Sequence, residues 1–144
     1  MKKDENKAVT VDDGRRNVTG SRRIHFNVEK TSFERGIMSD EEDYYVIEGW
    51  AIIQKRDNAM YRTYIGLIGD DGSCMIFDTF RKNREDVAVV FVNEKNTCLA
   101  GFVCKIPASL IDNNKKYRLA VIEKSMLTGI KYKILGDYYE PARG

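Results

Sequence analysis

One histidine, three cysteines and a scatter of carboxylates are the groups in this sequence that could carry catalysis or hold a metal. His25 alternates with Ile24 and Phe26, which places it on the solvent side of a strand, and one histidine without a second or a cysteine pair makes no zinc site. Cys74, Cys98 and Cys104 are odd in number and show no C-x-x-C spacing. They lie in apolar runs (SCMIF, TCLAGFVC), so they are expected as free, small hydrophobes in a reducing compartment. No G-x-S-x-G elbow, G-x-x-x-x-G-K-[ST] phosphate loop or G-x-G-x-x-G occurs. Asp70-Asp71 resembles half a calcium loop, but the remaining ligands are missing, and Gly69-Asp70-Asp71-Gly72 reads as a tight hairpin. Glu41, Glu42, Asp43 and Glu48 are the carboxylates open to acid–base work on a glycoside, which needs two of them across a cleft. Nothing in their spacing puts two there. The chain is therefore expected not to be an enzyme, with no catalytic residue, no metal site and no cofactor.

The aromatics carry more information. Trp50 is the only tryptophan and there are eight tyrosines. Trp50 follows Gly49 inside an apolar strand and is expected in the core. Tyr44, Tyr45, Tyr138 and Tyr139 flank loops or the chain end and are the candidate binding surface, since flat rings with polar tips suit sugars. Single-strand nucleic-acid binding on an OB-like barrel is the rival reading. The basic pairs Lys2-Lys3, Arg15-Arg16, Arg22-Arg23 and Lys115-Lys116 are scattered among acids, and a net charge of +2 argues against it.

The elements that would position these groups are strands. RRIHFNVEK, YYVIEGWAII, MYRTYIGLIG, SCMIFDTF, CLAGFVCKI, YRLAVIEK and IKYKILGDYY have the period-two alternation or short apolar runs of strands, separated by turn formers. They predict seven strands at 22–30, 44–53, 60–69, 73–80, 98–106, 116–124 and 130–139. Between Arg81 and Phe91 one or two helical turns are expected, with Asn83 as cap and Asp86 in the capping-box position. Gly49 marks a bulge or a close backbone approach. The polar segment 1–21 is expected as a flexible tail, with only a short edge strand at Val9 and Val11 as the alternative, and 141–144 as a linker-like end. Residues 22–140 are expected to form one antiparallel all-β sandwich or barrel domain; the absence of long helices excludes a doubly wound α/β fold.

SLIDNNKKY places Leu110 and Ile111 before a turn and Tyr117 at the opening of a strand. This matches the tyrosine corner of Greek-key sandwiches; a plain half-buried strand tyrosine is the alternative. With it, the ordered set I-x-F-x-V at 24–28, E-G-W-A at 48–51, R-x-D-V at 84–87 with Phe91, Gly101-Phe102, Ile106-Pro107 and Tyr117 resembles the immunoglobulin-like accessory β-sandwich that accompanies bacterial glycosyltransferases and surface-polysaccharide enzymes. The likeness covers residues 22–136. It implies a seven-stranded immunoglobulin-like sandwich with structural roles for Trp50, Asp86, Phe102 and Tyr117. It also implies a non-catalytic accessory or binding function in cell-surface glycan assembly, with a glycosyltransferase catalytic domain or a glycan as partner. A direct carbohydrate-binding module is the alternative.

Composition agrees with a single domain. The 144 residues are 42% hydrophobic and 32% charged, enough to bury a core without disulfides. No apolar run approaches the length of a membrane span. Met1–Gly20 lacks the apolar stretch of a secretory signal, so a cytoplasmic location is expected, membrane-peripheral where a partner holds it there.

Overall fold

The computed structural model describes residues 8–11, 23–38 and 41–141. They form nine strands: β1 (Ala8–Val11), β2 (Ile24–Glu34), β3 (Tyr44–Ile53), β4 (Tyr61–Gly69), β5 (Cys74–Asp78), β6 (Phe80–Lys82), β7 (Gly101–Pro107), β8 (Tyr117–Ser125) and β9 (Lys131–Tyr139). One helix, α1 (Glu85–Val90), lies between β6 and β7. All pairings are antiparallel, in a five-stranded sheet of order β1-β5-β4-β8-β9 and a four-stranded sheet of order β2-β3-β7-β6.

Alternation builds the core. Tyr45, Ile47, Ala51, Ile53, Phe102, Cys104 and Ile106 of the four-stranded sheet meet Ile65, Leu67, Phe77, Leu119 and Val121 of the five-stranded one in a single buried cluster. The residues between them in sequence point away from the other sheet. On that outer side of β3, Trp50 and Ile52 are covered by Val87 of α1 together with Phe91 and Ala100. The hairpin between β4 and β5 closes as expected, with the Gly72 N–H donating to Gly69 O at 3.0 Å and Gly72 at φ 87°.

Several expectations change. The strand expected at 73–80 is two strands on different sheets. Between them Thr79 is buried, its hydroxyl donating to Thr63 O at 2.7 Å and its N–H to Asp78 Oδ1 at 2.7 Å, so polar contacts hold the chain where it changes sheet. Ala8–Val11 takes the edge-strand alternative raised for Val9 and Val11 and pairs with the edge of β5; a free sheet edge offers backbone partners whatever the side chains. The rest of that segment, and residues 142–144, lie outside the described residues. The strand expected from Cys98 begins at Gly101, because Thr97–Leu99 form a tight turn entered through Asn96 at φ 59°.

The start of α1 also differs. Arg84, not Asn83, is its N-cap, and no side chain caps it. Asp86 is turned instead to Arg84, whose guanidinium donates to Asp86 at 2.9 and 2.7 Å and to both oxygens of Glu29 at 2.6 and 3.0 Å. A charged fork reaching two carboxylates outweighs one neutral backbone cap. These contacts lower the pKa of Glu29 and hold Asp86 down at about 2.

Candidate functional site

The four tyrosines proposed as one surface do not form one. Tyr45 and Tyr139 are buried in the intersheet core. Tyr44 lies by Lys105, whose ammonium is 5.9 Å from the ring centroid, and Tyr138 lies by Arg118 at 5.9 Å. The half-buried Tyr44 and the exposed Tyr138 therefore belong to different sheets and opposite outer faces. Strand geometry is the cause: neighbouring residues point to opposite sides, so each Tyr-Tyr pair contributes one ring inward and one outward. Trp50 is corrected too, from core to the half-buried cluster under α1, with its ring 5.3 Å from that of Phe91. Phe102 is in the core at 1% exposure. Tyr117 is buried at the start of β8, and its hydroxyl accepts a 3.1 Å hydrogen bond from the Asp112 N–H.

The carboxylates singled out for chemistry are occupied with structure. Glu41 Oε1 accepts from the N–H groups of Ile37 and Met38, Asp43 Oδ1 from Gly36, and Glu42 Oε2 from Ser109, which together hold the β2–β3 loop and join it to the end of β7. Glu48 faces Lys82 at 3.3 Å on the outer side of its sheet. Asp71 organises the hairpin through Ser73 and Lys115, contacts that depress its pKa. His25 is exposed, 6.2 Å from the Phe91 ring. Among the described residues no three His, Cys, Asp or Glu side chains are grouped to hold a metal, and all three cysteines are free. Burial pushes the Cys104 thiol up, away from reactivity.

A cleft of about 600 Å³ opens between β2 and β9, the edge strands of the two sheets on one side of the molecule. Two bulges shape it. In β2, Glu29 is an extra residue between Val28, opposite Gly49, and Lys30, opposite Glu48. In β9, Gly136 and Asp137 face the single residue Leu119. The first bulge explains Gly49, since a Cβ there would overlap the Asn27 carbonyl. The second brings Gly136 against Phe26, whose ring would lie 3.3 Å from a Cβ at that position. Phe26, Val28 and Leu119 make an apolar floor, and Asn27, Thr31, Arg118, Asp137, Tyr138 and Glu140 stand around it. Arg118 spends one N–H on the Gly136 carbonyl, at 2.8 Å. The side chains of Asn27, Thr31, Asp137 and Glu140 have no hydrogen-bond or ion-pair partner among the described residues. Tyr138 is 63% exposed. The register puts Asn27 beside Trp50 and Tyr138 beside Arg118, on opposite outer faces of the sandwich, so the polar side chains along the cleft do not converge on its apolar floor.

A second polar feature lies inside the opposite region of the five-stranded sheet. Glu123 of β8 is 2% exposed, accepts a 2.6 Å hydrogen bond from the Thr63 hydroxyl, and has its pKa pushed up by burial to about 8, with Arg81 partly opposing the rise. Arg81 itself donates to the Tyr61 carbonyl, and the neighbouring phenols of Tyr132 and Tyr61 raise the pKa of Arg56. Sequence reading passed over Glu123. The signal was present: continuing the alternation Tyr117, Leu119, Val121 puts residue 123 on the inward face. The cleft had a weaker signal, because bulges depend on the partner strand.

No protein-family model, curated protein sequence or solved structure matches this chain. No helix among the described residues is long and apolar enough to cross a membrane.

Proposed function

We propose that this chain is a non-catalytic binding module with an immunoglobulin-like sandwich architecture, accessory to a glycosyltransferase in bacterial cell-surface glycan assembly. The architectural part rests on strand order. β2-β3-β7-β6 facing β9-β8-β4-β5 follows the A-B-E-D and G-F-C-C′ arrangement of immunoglobulin sandwiches, with β1 added beyond β5. The Tyr117 hydroxyl bonding the backbone five residues upstream, at the start of the strand that would be F of that scheme, supports a tyrosine corner.

The observation that carries the non-catalytic reading is the engagement of the four acids the sequence offered: Glu41, Glu42 and Asp43 bond loop backbone, and Glu48 pairs with Lys82; the unengaged Asp137 and Glu140 belong with them in the test of that reading. An acid committed in this way is not poised across a cleft from a second one. The residues behind the resemblance also act together. Arg84 and Asp86 tie α1 to Glu29 in the bulge opposite Gly49, Val87 packs with Trp50, and the absent side chain of Gly101 admits Lys82 and Arg84. Their roles are architectural, as suits a domain serving another protein's chemistry.

Incubation of the purified chain with nucleotide-sugar donors and chromogenic glycosides, with and without manganese, should give no turnover. Turnover that survives re-purification and vanishes in Glu48→Gln, Asp43→Asn, Asp137→Asn or Glu140→Gln would overturn the reading. The accessory role predicts an adjoining or fused glycosyltransferase reading frame in the genome; a neighbourhood without one removes that part.

A further inference from the structure

We infer that the β8–β9 hairpin is a membrane-docking tip: Met126 and Leu127 enter the interface of an anionic lipid bilayer while Lys124, Lys131 and Lys133 meet its headgroups. The inference does not depend on the accessory reading above. It gives the chain a direct contact with a membrane surface, where the sequence suggested only one held through a partner. Three observations support it. The first is an apolar tip facing water. Between β8 and β9 the chain runs Met126-Leu127-Thr128-Gly129-Ile130, and Met126, Leu127 and Ile130 are 55%, 77% and 42% exposed. Three aliphatic side chains within five residues at a hairpin end make a patch that gains by leaving water.

The second is charge. From Lys124 to Gly136 the chain has three lysines and no carboxylate. Register sets the cations side by side on the outer face of the five-stranded sheet: Arg62 lies opposite Lys124, Lys124 lies opposite Lys131, and Lys133 follows on the same face of β9. Asp78 neutralises Arg62 through contacts at 2.7 and 2.8 Å. Neither Lys124 nor Lys133 has an ion-pair partner among the described residues. Like charges directly opposite on a sheet repel, and an anionic surface relieves that repulsion. A hollow of about 380 Å³ joins the two features, since Met126 and Gly129 line it together with Arg62 and Lys124.

The third is the backbone of the tip, where every N–H from Ser125 to Ile130 has an acceptor within the protein. Ser125, Met126 and Gly129 donate to the carbonyls of Ile130, Met60 and Ser125 at 2.9, 2.9 and 3.0 Å. Leu127 and Thr128 donate to the Ser125 hydroxyl at 3.3 and 3.2 Å, and Ile130 to the Thr128 hydroxyl at 3.3 Å. An unpaired N–H is costly to carry out of water, so a tip built this way loses few hydrogen bonds on entering a bilayer interface. Other occupants fit less well. A nucleic acid needs exposed rings to stack on, whereas the protruding side chains are aliphatic and Tyr64, the ring in the hollow, is half-buried. A second copy would set lysines against lysines across a two-fold axis.

The test is co-sedimentation of the full chain with vesicles of phosphatidylcholine alone and of phosphatidylcholine with about 30% phosphatidylserine, at about 0.1 M salt. The chain should bind the anionic vesicles and not the neutral ones. Lys124→Gln and Lys133→Gln should each weaken binding about fivefold, and Met126→Ser with Leu127→Ser about tenfold. Val89→Ser with Val92→Ser changes exposed apolar positions at α1, on the side of the other sheet, and should leave binding unchanged. Circular dichroism matching the parent shows that each variant is folded. The proposal fails if the chain stays in solution with anionic vesicles, if neutral vesicles bind it equally, or if the valine variant loses as much binding as the Met126 and Leu127 one. Two further arms use single-stranded oligothymidylate and light scattering. Binding of the oligonucleotide, or a dimer that Met126→Ser with Leu127→Ser disperses, with the vesicles silent, would assign the tip to that partner and overturn the inference.

Discussion

The Thr63 hydroxyl donates a 2.6 Å hydrogen bond to the carboxyl of Glu123, joining β4 to β8 inside the sandwich at a cross-strand pair. Glu123 titrates at about 8 in the fold against an ordinary value of 4.5, because burial penalises its charged form. Between those values the folded chain holds a proton that the unfolded chain has released. Stability from this group is full below about pH 4.5 and is lost as pH rises through about 8, by up to about 1.4 kcal/mol per pH unit. Denaturant unfolding between pH 5 and 8 should show that slope, and Glu123→Gln, which keeps the shape without the charge, should flatten it. Equal slopes in parent and variant would mean that Glu123 is ionised in the fold.

Tyr117→Phe keeps the buried ring and removes the acceptor of the Asp112 N–H. The expected loss is about 1–2 kcal/mol, the cost of leaving a partly buried donor unpaired. Chemical denaturation measures it. A neutral substitution would show that water replaces the phenol freely and that the corner contributes little.

The Phe91 and Trp50 rings pack tilted, 5.3 Å apart, with Val87 and Ile52, so the lone tryptophan reports on the seating of α1. Phe91→Ala should expose the indole and shift its emission to the red while strand circular dichroism stays unchanged. Unaltered emission would contradict this packing. Trp50→Ala should cost less than the about 3–5 kcal/mol typical of a fully buried ring, since Trp50 is only half-buried.

Gly49→Ala would drive a Cβ into the Asn27 carbonyl opposite the β2 bulge, where only backbone movement relieves the overlap. Gly66→Ala, on β4, would meet the Ala120 Cβ at 3.4 Å, ordinary contact distance. Thermal unfolding should therefore fall sharply in the first and little in the second. Comparable losses would show that the bulge yields, and with it the shape of the cleft.

The sequence by itself determined the all-β character, the β4–β5 hairpin with its glycines, the bounds of β3 at 44 and 53, and Tyr117 as the opening residue of β8. Each follows from local alternation or turn chemistry, which a chain carries in its neighbouring residues. Tertiary structure alone decided the sheet change at Thr79, the edge strand Ala8–Val11, and the two bulges that turn β2 and β9 about a cleft. These depend on which strand pairs with which. Alternation says that Tyr138 and Tyr139 face opposite ways, but only the register against Arg118 and Tyr117 says which is buried. Glu123 lies between these cases. Its inward phase is legible along β8, while its raised pKa needs Thr63, Arg81 and the apolar wall around it, brought together from distant parts of the chain. An ordered pattern of residues can suggest an architecture; a cleft lined from both β2 and β9 exists only once two sheet edges meet.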